Sequence, residues 1–334
     1  MRFVTDDIYG DHLRGLGHPE SSDRVEVVAA RLRARGFLEH TLAARDATDA
    51  DIVRVHDAAY LELVKREIGA LQTPRYLSTG DVVVDAHSLA VARRAAGGAI
   101  VALEHAAVAG EATFALVRPP GHHAESARGM GFCLLNNAAI AARAYQARHG
   151  GDVLIVDFDY HHGNGTQCVA GDGLSYVSTH ASPAYPGTGR ESEMRGNALV
   201  ANVPLPVSGI STEAFVAIWE RLLTHVVQRL RPSAIVVSAG FDYVRGDPVG
   251  DLGVAVEAAG ALAAAIGAAA GALCGGRVAY VLEGGYDIDA LTASIALIAR
   301  CVDRGEYAPS GAHGSAIPPR EALLLERIEE LWGG

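Results

Sequence analysis

The chain has 334 residues, and 28 Lys+Arg against 39 Asp+Glu leave a formal charge of −11. Hydrophobic residues at 49% and charged residues at 20% describe a globular chain and exclude a disordered one. The acidic balance excludes the basic face of a nucleic-acid binder. Cys133, Cys168, Cys274 and Cys301 form no CxxC pair. The expectation is therefore no disulfide framework, no cysteine zinc site and a reducing compartment, the cytoplasm. The opening MRFVTDDIYGDH lacks the apolar core of a secretory signal.

In chain order, helical patterns over 20–36 and 88–110 precede a first short apolar run, TFALV (113–117). A helix over 134–149 leads to VLIVDFD (153–159) and LSYVSTH (174–180). Helices over 212–231, 254–274 and 288–304 then alternate with AIVVSAG (234–240) and VAYVLEGG (278–285). Such short, uniformly apolar runs predict strands buried on both faces. Their alternation with helices predicts an α/β fold, a mainly parallel sheet with helices on both faces. No composition shift interrupts it, so one domain over 1–334 is expected. Residues 258–274 (AAGALAAAIGAAAGALC) are uncharged. Alanine and glycine are weakly apolar, however, so a packed internal helix is expected there and no membrane span.

Each run ends in Gly-rich, titratable sequence: RPPGHHAE, DFDYHHGNG, THASP, AGFDYVRGDP and EGGYD. Ligands of open α/β sheets bind beyond the carboxyl ends of the strands, so these tails predict one shared site. Alternation puts Asp157, Asp159 and His161 towards one side if extension continues. Asp159, His161 and Asp242 would hold zinc with one position open, and the O/N donor set also suits iron(II) or manganese(II). The bland alternative is a turn with incidental acids, but paired buried carboxylates without compensation are costly. His122 and His123 become acid–base candidates near a metal, with Asp157 and Asn164 to orient them. Tyr286 could donate to an oxyanion, although alone its turn reads as an ordinary surface turn. His12, His40, His56, His87, His105, His149, His225 and His313 read as packing or surface histidines. His180 suits packing as well as chemistry. No GxSxG elbow or phosphate-binding GxxxxGK[ST] loop is present.

The stretch from HPESSDRV (18–25) to LEGGYD (282–287), with RPPGHHAE, GMGFCLLNNAAIAA, VDFDYHHGNGTQ and SAGFDYVRGDPVG between, resembles the zinc-dependent histone deacetylase superfamily. That superfamily has the arginase/deacetylase fold and includes acetylpolyamine amidohydrolases. Asn164, where class I members carry Asp, places the likeness nearest the class II-like bacterial branch. The resemblance implies Asp159, His161 and Asp242 as zinc ligands, with iron(II) possible. It implies His123 as general base and acid, His122 beside it, Asp157 and Asn164 as their partners, and Tyr286 polarising the acyl carbonyl. Gly131 and Phe132 would form one wall of an acyl-lysine tunnel, and Tyr185 the other, where many relatives carry Phe. Val249 stands at the position of the acidic gate of polyamine-selective relatives. Residues 72–81 should contain the loop of a rim acid. Asp157, the main-chain carbonyls of Asp159 and His161, and Ser178 with Thr179 would form a structural potassium site. Arg24 would line an internal channel. The implied activity is hydrolytic removal of an acyl group, most simply acetyl, from an acylated lysine peptide or protein or from a small N-acyl amine. Alternatives are an acetylpolyamine amidohydrolase, an arginase-like ureohydrolase and a non-catalytic acyl-lysine binder.

Overall fold

The computed structural model describes residues 1–305 and 317–331, so His313 lies outside the described residues. Its strands are β1 (Arg2–Val4), β2 (Thr41–Leu42), β3 (Arg75–Tyr76), β4 (Val83–Val84), β5 (Thr113–Ala115), β6 (Val153–Asp157), β7 (Leu174–Ala181), β8 (Glu193–Arg195), β9 (Ala198–Leu205), β10 (Ala234–Ala239) and β11 (Val278–Leu282). Its α-helices are α1 (Asp23–Ala34), α2 (Asp49–Ile52), α3 (Ala58–Gly69), α4 (Ser88–Ala109), α5 (Asn137–His149), α6 (Asn164–Val169), α7 (Thr212–Arg229), α8 (Ala258–Cys274), α9 (Ile288–Arg304) and α10 (Pro319–Leu331).

Nine strands form one sheet in the order β2-β1-β5-β11-β10-β6-β7-β9-β8. All its pairings are parallel except β8 with β9. The five apolar runs are the five contiguous strands β5, β11, β10, β6 and β7. Every residue of these strands is buried. A strand covered by helices on both faces has no polar side to display, which explains the unbroken apolar runs. Register sets Asp157 opposite both Ser238 and Ser178, so the strand ends lie level along one edge.

The helices begin and end where local chemistry dictates. Asn136 and Asp287 cap α5 and α9 by accepting from Ala139 N and Ala290 N. Gly275 ends α8 at a φ of 61°. That Ala/Gly-rich helix packs against α7 and α9, as an internal helix does. Among the described residues, no helix is long and apolar enough to cross a membrane.

Several expected boundaries shift. β6 stops at Asp157, β11 stops at Leu282, and the helix expected from 254 begins at Ala258. At the two strand ends, Asp159 and Gly284 leave the regular element and line the pocket. β1, β2, β3, β4, β8, β9, α2, α3, α6 and α10 were not anticipated: β1 is three residues long, and β9 carries Asn202 and Pro204, which break a strand-like pattern.

Candidate functional site

The extended backbone of β6 ends at Asp157, and this corrects the alternation of the DFDYHH segment. Asp157 does not share a centre with Asp159 and His161. Its Oδ2 accepts instead from Tyr176 Oη at 2.9 Å and from His122 Nδ1 at 3.1 Å, behind the pocket. Beyond the turn, Asp159 and His161 meet Asp242, which follows β10. One ligand atom from each of these three lies within 4.8 Å of the others. His161 Nδ1 is 2.9 Å from Asp242 Oδ2 and 3.4 Å from Asp159 Oδ1.

This cluster fits a divalent cation. Asp159 and Asp242 are buried, and burial followed by the charge of Asp159 pushes the Asp242 carboxyl up to about 7. Asp159 is held low by His122 and His161 against the opposing effect of burial. Against burial, the two carboxylates pull the His161 pKa up to about 10, the same attraction they would offer a cation. Gly284 leaves the room, because a Cβ there would lie 2.6 Å from Asp159 Oδ2 and 2.6 Å from Asp242 Oδ2.

The tandem histidines occupy different environments. Burial disfavours the charge on His122, but Asp159 and Asp157 outweigh it and lift its pKa to about 10. His123 is driven well below the ordinary imidazole value by burial and by the neighbouring His122 and His161. Asn164 Nδ2 donates to Glu125 Oε1 at 2.7 Å, so its Oδ1 faces His123 Nδ1 at 2.8 Å and accepts from it. His123 is thereby the Nδ1–H tautomer, with a free Nε2 lone pair. Tyr286 stays a phenol, since burial raises its pKa well above normal against the pull of Arg24. Arg24 is buried, 4.8 Å from the Tyr286 ring, and donates to the carbonyls of Gly285 and Glu283.

A cavity of about 360 Å³ joins these groups: His122, His123, Asp159, His161 and Tyr286 line its floor, and Gly131, Phe132, Tyr185 and Val249 its walls. The Phe132 ring lies 5.9 Å from that of Tyr286, and the Tyr185 ring 5.1 Å from that of His123. Ser178 Oγ pairs with His180 Nδ1 at 2.9 Å, so His180 is a packing partner of that hydroxyl. Thr179 Oγ1 is buried without a partner.

Sequence reasoning left several residues unassigned. Asp81 lines the mouth of the cavity, at the end of the loop expected to carry an acid. Glu283 Oε2 accepts from Gly121 N at 2.6 Å and His122 N at 3.1 Å, and so fixes the histidine turn. Asp247 accepts from Tyr286 N at 2.6 Å and from Val249 N at 2.9 Å. Their acidic side chains inside Gly-rich tails were the only signal.

Residues 18–302 match the histone deacetylase domain. The chain is 35% identical over 289 residues to histone deacetylase 15 of Arabidopsis thaliana, covering 83% of this chain and 51% of that protein. It is 37% identical over 282 residues to a histone deacetylase-like amidohydrolase of Pseudomonas aeruginosa, covering 81% of this chain and 73% of that protein. The solved HDA15 HD domain superposes with a TM-score of 0.86 at 30% identity, covering 99% of this chain and 95% of that domain. With the fold, the domain and the relatives in agreement, the chain belongs to the histone deacetylase family.

Proposed function

We propose that residues 1–334 form one catalytic domain that hydrolyses the amide of an N-acylated amine, most simply the acetyl group of N6-acetyl-lysine. The observation that carries this reading is a three-ligand cluster, two of whose members, Asp159 and His161, line one cavity with a neutral imidazole, a charged imidazole and a phenol. Asp159, His161 and Asp242 would hold zinc, or iron(II) in its place. Such an ion, when bound, supplies Lewis-acid polarisation and lowers the pKa of water. His123, through Nε2, takes the proton of the attacking water and returns one to the leaving amine. Asn164 keeps that nitrogen unprotonated and aimed by holding Nδ1–H. His122, charged through Asp157, favours developing negative charge, and the Tyr286 hydroxyl donates to the acyl oxygen. Gly131, Phe132, Tyr185 and Val249 enclose the aliphatic spacer and exclude water. Asp157, the carbonyls of Asp159 and His161, and Ser178 with Thr179 would hold a structural potassium ion. Arg24 would border the floor of the site behind Tyr286. Four free cysteines support the cytoplasm as its location.

An acetylated polyamine is the second reading, favoured by the Asp81 carboxylate at the mouth. A deacylation panel of acetyl-lysine peptides, acetylpolyamines and small N-acetyl amines tests both. Turnover of the peptides that disappears with chelator and returns with zinc is expected. Persistent activity after verified metal removal, or inertness towards the whole panel, would overturn the reading.

A further inference from the structure

We infer that the Tyr185 hydroxyl determines specificity, because it ties one tunnel wall to the other through Asp81. This inference rests on the deacylase reading. Asp81 Oδ2 accepts from Tyr185 Oη at 3.0 Å, while its Oδ1 accepts from Gly131 N at 2.9 Å. One carboxylate thus closes a bridge between walls contributed by three distant segments. The hydroxyl is the only part of the Tyr185 side chain that reaches this bridge; a phenylalanine would supply the same ring and no bond.

The bridge has a fixed support. Asp81 sits on the connection between β3 and β4, where Leu77 N donates to Val82 O at 2.9 Å. Glu67 on α3 accepts from Ser78 N at 3.1 Å and from its hydroxyl. Gly80 packs so closely on the Gly129 carbonyl that a Cβ there would clash with it. These contacts hold the backbone from which Asp81 presents its carboxylate.

The walls it joins are already near contact. Gly131 has a φ of 56°, and a Cβ on it would lie 3.0 Å from Tyr185 Cε1 and closer still to the His123 ring. A wall held at this separation admits an unbranched methylene spacer between amide and carrier. It rejects a ring or a branch in the same place. The staple therefore selects linear N-acyl alkylamines over N-acyl arylamines and branched amines.

The test compares kcat/KM for two peptides, one with N6-acetyl-lysine and one with acetylated 4-aminophenylalanine, in the wild type and in Tyr185→Phe, Asp81→Ala and Asp81→Asn. Taking the aryl-to-alkyl ratio within each protein and comparing it between proteins cancels the leaving-group difference. Tyr185→Phe and Asp81→Ala should each raise the ratio by about tenfold, the low end of the discrimination a pocket exerts against one misplaced methylene. Asp81→Asn retains an acceptor for Gly131 and a donor for the phenol oxygen, and should stay within about twofold of wild type. An unchanged ratio in both Tyr185→Phe and Asp81→Ala, with circular dichroism of the wild type, would overturn the staple. So would a ratio raised equally by Asp81→Asn. A wild type inert to both peptides and to the wider panel would overturn the deacylase reading, and the staple with it.

Discussion

Two adjacent imidazoles, His122 and His123, differ in charge because their Nδ1 partners differ: a carboxylate for one, an amide oxygen for the other. The pair thus contains a single free base, which can take a proton from water and return one to the leaving amine. Asn164→Asp places a carboxylate against His123 Nδ1–H, which stabilises the imidazolium and raises its pKa. The acid limb of kcat/KM against pH should consequently move to higher pH, and an unmoved limb would show that another group serves as base. Tyr286→Phe removes one donor to the acyl oxygen, and turnover should fall roughly 10²–10³-fold with the melting temperature retained. His123→Ala should cost at least as much, and near-normal rates in both would contradict the assigned roles.

Among the elements, buried carboxylates on the loops act as clamps between neighbouring strand ends. Glu283 leaves β11 and accepts from Gly121 N and His122 N, with Ser238 Oγ of β10 at 3.1 Å on its other oxygen. The next residue, Gly284, donates its N–H to Asp159 Oδ2 at 2.8 Å. A single turn therefore fixes both the histidines and a candidate metal ligand. Burial, partly opposed by His122, raises the Glu283 carboxyl to about 7, so its hydrogen bonds matter more than a full charge. Glu283→Ala orphans two buried N–H groups at roughly 1–3 kcal/mol each, and Glu283→Gln keeps an acceptor. Denaturant midpoints should rank wild type above Gln and Gln well above Ala; equal midpoints for Gln and Ala would refute the clamp.

Across the whole molecule, His56 ties the start of α3 to the site loops. Its Nδ1–H donates to Glu125 O at 2.9 Å, and its Nε2 accepts from Asn136 N at 2.9 Å. Protonation would set N–H against N–H. Burial dominates, and the folded pKa falls from 6.5 to about 4. As pH drops below the ordinary value, the unfolded chain takes up the proton first, so stability is lost between these two pKa values and is fully present above them. The loss amounts to roughly 3 kcal/mol when the window is crossed. His12 and His162 are depressed in the same way, so urea unfolding at neutral and at mildly acidic pH should show a slope that His56→Gln, which cannot titrate, makes shallower by one proton's share. An identical slope in the variant would place the acid sensitivity elsewhere.

The five central strands and the chemistry at their carboxyl ends were legible in the sequence, because burial on both faces writes a continuous apolar run and a shared site writes titratable residues after each one. Strand alternation alone did not separate Asp157 from Asp159, although the family resemblance set Asp157 beside His122. That separation depends on where β6 stops, and that is set by its neighbours in the sheet. Asp81, Glu283 and Asp247 were hidden. Their partners are mostly backbone N–H groups, which nearly every residue carries, so no residue type marks the other end of the bond. Local periodicity decided the layers, and only the folded chain decided which oxygen faces which nitrogen.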